Sequence, residues 1–130
     1  MYYWGVTNTQ TGKAATGSVQ LLQWSVSSTD REVIVALAGE LDLANAEALG
    51  EVLREVVAEK PAKVSIDLAN LSFLDSTGIR CFVGAAQAAA KVGCELVVRN
   101  PSGMVERVLQ LCGVDKILMD DSGGDASEDR

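Results

Sequence analysis

Between residues 20 and 119 the apolar side chains alternate between a period of about two and a period of about 3.6. A chain patterned this way is restricted to strands and helices in turn. Residues 20–26 and 33–39 read as two strands around the polar turn at residues 27–30, a connection short enough for an antiparallel hairpin. Residues 44–58 read as a helix with one stripe made by Leu49, Val52, Leu53, Val56 and Val57, ended by Pro61. Val64, Ile66 and Leu68 alternate with Lys63, Ser65 and Asp67, as in a half-buried strand or one at the sheet edge. A second helix over residues 79–92 carries Ile79, Phe82, Val83, Ala86 and Ala90, with Gly93 as its stop. Residues 95–99 form a strand. Asn100-Pro101-Ser102 opens a third helix with the stripe Val105, Val108, Leu109 and Cys112, stopped by Gly113, and residues 117–119 make a short last strand.

The expected order is β-β-α-β-α-β-α-β. Strands joined through helices are parallel, with right-handed crossovers. The hairpin adds an antiparallel strand. The fold class is therefore α/β: one domain with a mixed, mostly parallel β-sheet and packed helices. Its exposed sheet edge is compatible with a monomer or a weak dimer. Three loops follow strand carboxyl ends, where ligands and partners meet such sheets. They are Glu40-Leu41-Asp42, the stretch 71–76, and Asn100-Pro101-Ser102. The first two each carry an aspartate and should lie near one another.

At 130 residues with 48% hydrophobic side chains, the chain is long and apolar enough to bury one core. No apolar run approaches the about 20 residues of a membrane span, and the start Met1-Tyr2-Tyr3-Trp4 is no signal peptide, so a cytoplasmic protein without a membrane partner is expected. The net charge of −7 argues against nucleic acid as a direct partner. Residues 120–130 concentrate Asp120, Asp121, Asp125, Glu128 and Asp129 among Gly and Ser, as in an acidic disordered tail. Residues 1–19, rich in Thr, Gly and Ala, read as a flexible leader, leaving 20–119 as the domain.

The densest chemical signal is Asp75-Ser76-Thr77-Gly78, between the strand at 63–68 and the helix at 79–92. That context puts Ser76 at or next to a helix N-cap, at the positive end of the helix dipole. Many serines at such positions are plain caps. A serine there, preceded by a carboxylate, is also able to accept a phosphate without unfolding the chain. Hydrolysis fits poorly: Leu74 stands where a nucleophile elbow needs glycine, the chain has no histidine, and no lysine lies near Ser76 in sequence. Gly12-Lys13 fails as a P-loop, because Thr7 stands where a glycine is required and Ala14 follows the lysine. Cys81, Cys94 and Cys112 are far apart, so neither a zinc site nor a disulfide framework is expected; they read as reduced small side chains. No metal or cofactor is called for. Cys81 falls off the apolar stripe and reads as exposed, which leaves redox modulation open.

Gly39-Glu40-Leu41-Asp42, the run from Asp67 through Phe73-Leu74-Asp75-Ser76-Thr77-Gly78-Ile79, and Asn100-Pro101-Ser102 followed by Val108-Leu109 and Gly113 resemble the STAS domain. The resemblance is to the bacterial anti-sigma factor antagonists (anti-anti-sigma factors), over about residues 21–119. It implies a non-enzymatic switch. The unmodified antagonist binds an anti-sigma factor that is itself a serine kinase, which frees the sigma factor. The kinase phosphorylates the serine after the motif aspartate, the antagonist is released, and a PP2C-type phosphatase resets it. On this chain the resemblance implies Ser76 as acceptor, Asp75 as its acidic neighbour and Asp42 as the second aspartate facing the partner; Thr77, Gly78 and Arg80 beside them are read as partner-facing too. Arg80 stands where the family often has a small residue. It reads as a solvated surface arginine, as a counter-ion for a phosphate four residues away, or as a change of kinase partner. The alternative function is a STAS scaffold or ligand-binding module of a sensory or transport complex.

Overall fold

The computed structural model describes residues 14–119. Five strands form one sheet in the order β1-β2-β3-β4-β5: β1 (Ala14–Val19), β2 (Leu22–Ser28), β3 (Glu32–Leu41), β4 (Lys63–Leu74) and β5 (Glu95–Arg99). The helices are α1 (Ala46–Ala58), α2 (Ser76–Lys91), α3 (Gly103–Leu111) and α4 (Asp115–Leu118). β1, β2 and β3 are antiparallel neighbours, and β3, β4 and β5 are parallel. The sheet is thus mixed, in a single α/β domain. Both crossovers step in the same direction across the sheet, so right-handedness puts α1 and α2 on one face, where they pack against each other.

The core is what the alternation predicts. Leu22, Trp24 and Val26 from β2, Val33, Val35 and Leu37 from β3, and Val64, Ile66 and Leu68 from β4 are all buried. They meet Leu49, Val52, Leu53 and Val56 of α1 and Phe82 of α2 in one cluster. The α2 stripe is narrower than expected. Ile79, Phe82 and Ala89 are buried, Val83 and Ala86 are half-buried, and Ala90 is exposed. In α3, Val105 and Leu109 carry the contact, Val108 is half-buried, and Cys112 is exposed.

Several elements differ from the sequence expectation. Residues Ala14–Val19, inside the stretch read as a leader, form edge strand β1; residues 1–13 and the acidic stretch 120–130 lie outside the described residues. β1 has no large alternating side chains to announce it. It is held by six register pairs to β2, and the Trp24 ring lies across Gly17. Residues 117–119 are not a strand: Leu118 N–H donates to Val114 at 2.9 Å and Met119 N–H to Asp115 at 2.9 Å, which closes the short helix α4. A single parallel bridge, Met119 to Val98, remains.

The largest difference is β4. It lies between β3 and β5, not at an edge, and it continues to Leu74 instead of ending at Leu68. Its register against β3 slips twice, between Ala36 and Ala38 and between Gly39 and Glu40. Each slip inserts one extra β4 residue, so the buried positions after Leu68 become Leu71 and Leu74 and the period of two is lost. The Ser72 hydroxyl donates to the Gly39 carbonyl at 2.9 Å across the second slip. Gly39 has φ +101°, and a Cβ there would collide with the Leu21 carbonyl oxygen. That oxygen also accepts the Glu40 N–H at 3.0 Å. Gly39→Ala combines left-handed strain with a backbone clash, so it should lower stability by about 2 kcal/mol or more in urea titration.

Candidate functional site

The extra length of β4 brings two aspartates together. Leu41 ends β3, Leu74 ends β4, and the two are register partners. Asp42 and Asp75 follow directly, on parallel strands about 4.8 Å apart, and the Asp75 N–H donates to the Leu41 carbonyl at 3.4 Å. The expected adjacency of these two loops holds. The third loop is not part of the site. β5 ends opposite Asp67, seven residues before Leu74 along β4, and the Asn100 side chain donates to Asp67 Oδ1 there at 3.1 Å.

Asp75, rather than Ser76, is the N-cap of α2. Its Oδ1 accepts the N–H groups of Thr77 at 3.0 Å and Gly78 at 3.1 Å, satisfying two of the helix's orphan donors. Ser76 is the first helical residue and is exposed; Thr77 is half-buried. Gly78 is buried on the strand ends: a Cβ would lie 2.5 Å from Leu74 Cδ1 and 2.8 Å from Leu41 Cγ. Arg80 is exposed, one turn beyond Ser76 on α2.

The Asp42 loop has a residue that sequence reading passed over. Asn45 is 1% exposed. Its Oδ1 accepts the Asp42 N–H at 2.9 Å, and its Nδ2 donates to the Glu40 carbonyl at 2.9 Å. Asp42 Oδ1 in turn accepts the Ala44 N–H at 2.9 Å. The loop is therefore braced from both sides, and buried polar groups are paired as they must be. An Asx residue three positions after a turn aspartate was the available signal, since side chains at that spacing reach back to the chain.

Cys81 is not the exposed thiol expected from its place off the stripe. It is half-buried against α1, with its S–H 3.6 Å from the Ala46 carbonyl oxygen. Burial pushes its pKa up to about 11, against a smaller lowering by Arg54. A thiol held protonated is a poor nucleophile, so the geometry opposes redox modulation there. Among the described residues no group of three His, Cys, Asp or Glu is placed to hold a metal, and no helix is long and apolar enough to cross a membrane.

The STAS domain model matches residues 23–126. The chain belongs to the STAS domain family. A relative of this STAS chain, the anti-sigma-B factor antagonist of Bacillus subtilis, is 33% identical over 93 residues, covering 72% of this chain and 84% of the relative. The anti-sigma-B factor antagonist of Staphylococcus aureus is 28% identical over 97 residues, covering 75% and 90%. The crystal structure of an anti-sigma factor antagonist from Mycobacterium paratuberculosis superposes with a TM-score of 0.65 at 30% identity, over 75% of this chain and 82% of that one.

Leu41 and Leu74 are both buried with at most 1% exposure, so neither has room to retreat from a new methyl group. Gly78→Ala should therefore cost about 1–3 kcal/mol in chemical denaturation, the ordinary scale of overpacking. Thiol labelling of the native STAS domain at pH 8 should modify exposed Cys112 first and Cys81 only slowly, since pH 8 lies well below the Cys81 pKa of about 11. Comparable rates at the two would contradict the burial described.

Proposed function

We propose that this protein is an anti-sigma factor antagonist switched by phosphorylation of Ser76. The observation that carries the reading is the exposed Ser76 on the first turn of α2, beside the two aspartates that follow the ends of adjacent strands. The STAS family membership and the antagonist relatives support the same role. In this reading the unmodified chain presents Asp42, Asp75, Ser76, Thr77, Gly78 and Arg80 to an anti-sigma serine kinase, and the sigma factor is freed. Ser76 Oγ then attacks the γ-phosphorus of ATP held by the kinase. The new O–P bond forms as the bond to ADP breaks, and the hydroxyl proton passes to a base of the kinase. A PP2C-type phosphatase hydrolyses the ester with water to restore the serine. The chain itself supplies an acceptor and a surface, not a catalytic group.

The electrostatics suit such a switch. A phosphate adds about −1.5 to −2 charge at an exposed position, where the fold has nothing to lose by it. A partner seated on this surface meets that charge next to Asp75 and near Asp42. Repulsion and desolvation then oppose docking, and a loss of about 5–150-fold in affinity is an ordinary coupling.

Incubation with the anti-sigma kinases of the host genome, ATP and magnesium should place one phosphate on Ser76 and none on Thr77, read by peptide mass mapping. Phosphate on Thr77 alone, or on neither residue with every kinase, sinks the reading. Calorimetric titration should find that Ser76→Ala binds the kinase about as well as wild type, whereas Ser76→Asp and Ser76→Glu bind at least about fivefold more weakly.

A further inference from the structure

Beside the motif, α1 and α2 leave an open groove of about 480 Å³ between them. Its lining is mostly apolar, with Ala46 and Leu53 from α1 and Ala85 and Ala88 from α2. Leu43 stands at its rim with 77% of its surface exposed. Gly84 keeps the α2 wall bare: a Cβ there would meet nothing within 4 Å. Arg54 lines the groove from α1 and Arg80 from α2, against one carboxylate, Glu47. Neither arginine forms an ion pair among the described residues. Thr77 lines the groove too, so it is continuous with the Asp75–Ser76 surface.

We propose that this groove receives an amphipathic segment of the anti-sigma partner, with an apolar side chain seated beside Gly84 and a carboxylate paired to Arg54 and Arg80. The inference rests on the switch reading above and extends it to the chemistry of the partner. The groove is open and mostly apolar and runs on from the motif surface, which suits a side chain carried on a protein docked there. Two cations without ion-pair partners among the described residues, on a chain of net charge −7, call for an acidic neighbour to that anchor. Arg80 also ties the groove to Ser76. The two are four residues apart on one helix, close enough for the guanidinium to reach a phosphate there. Phosphorylation then does two things at once: it adds repulsion at Asp75 and draws a cation out of the groove.

The test is calorimetric titration of the purified host anti-sigma kinase that binds the unmodified wild-type chain. Gly84→Leu plugs the groove at an exposed helical position, so its Tm should not fall, while kinase affinity should fall at least about tenfold. Leu43→Ser, at an exposed rim position, is a second variant and should weaken binding in the same direction. In protein carrying phosphoserine at position 76 by translational incorporation, Arg80→Gln should raise the phosphate's second pKa by about 0.3, followed by phosphorus NMR. Undiminished kinase binding by both Gly84→Leu and Leu43→Ser overturns the groove and leaves the switch standing. Loss of self-association by Gly84→Leu with kinase binding intact assigns the groove to a second copy and also overturns it. An unchanged phosphate titration overturns the role of Arg80. Absence of binding by wild type to every host kinase removes both this inference and the switch.

Discussion

The contact on which fold and site both depend is the bare Cα of Gly78 against Leu41 and Leu74. Those two leucines end adjacent parallel strands and are fully enclosed. The absence of a side chain at Gly78 lets the first turn of α2 rest directly on the strand ends. The same approach seats Asp75 as cap, with its own N–H on the Leu41 carbonyl and its carboxylate on two helix donors. Ser76 is consequently held at a fixed height above the sheet, on the first turn of a helix that cannot tilt without opening the core. The proposed docking surface would gain from that rigidity, because docking two preformed patches avoids ordering costs at the moment of binding.

What the sequence made legible follows from how regular each segment is. The α1 stripe, the β2–β3 hairpin and the pairing of the Asp42 and Asp75 loops were all readable, because each rests on an unbroken period or on a strand–turn–helix boundary. The second half of β4 was not. Two inserted residues move the buried positions to Leu68, Leu71 and Leu74, a spacing of three that matches no strand template. β1 escaped for a different reason: Ala14–Val19 offers small side chains, and its hold on the sheet comes from backbone pairing and from a tryptophan on the neighbouring strand. α4 is one turn long, too short for any periodicity to show.

The motif itself was readable as a helix start, but its internal division of labour was not. Sequence alone leaves open which of Asp75 and Ser76 caps the helix, since both residue types do so. The structure gives the cap to the aspartate, and Asn45 shows the same logic at the other loop, where a buried amide braces the chain that carries Asp42. In both places a polar side chain is consumed in holding the backbone still. Ser76, by contrast, is exposed and has no capping duty.

That division bears on how a charge at Ser76 would be felt. A helix N-terminus binds anions through its free N–H groups, yet the Asp75 carboxylate already occupies those of Thr77 and Gly78. A phosphate on Ser76 therefore competes with a resident anion for the dipole instead of finding an empty cradle. In the proposed switch its charge would stay largely uncompensated by the backbone and project outward, where a partner would have to desolvate it or withdraw. The cation best placed by spacing to answer it is Arg80, whose other neighbours line the groove between α1 and α2. In the proposed switch, a cap that is already filled would thus convert a modification the fold can ignore into one that the docking surface cannot.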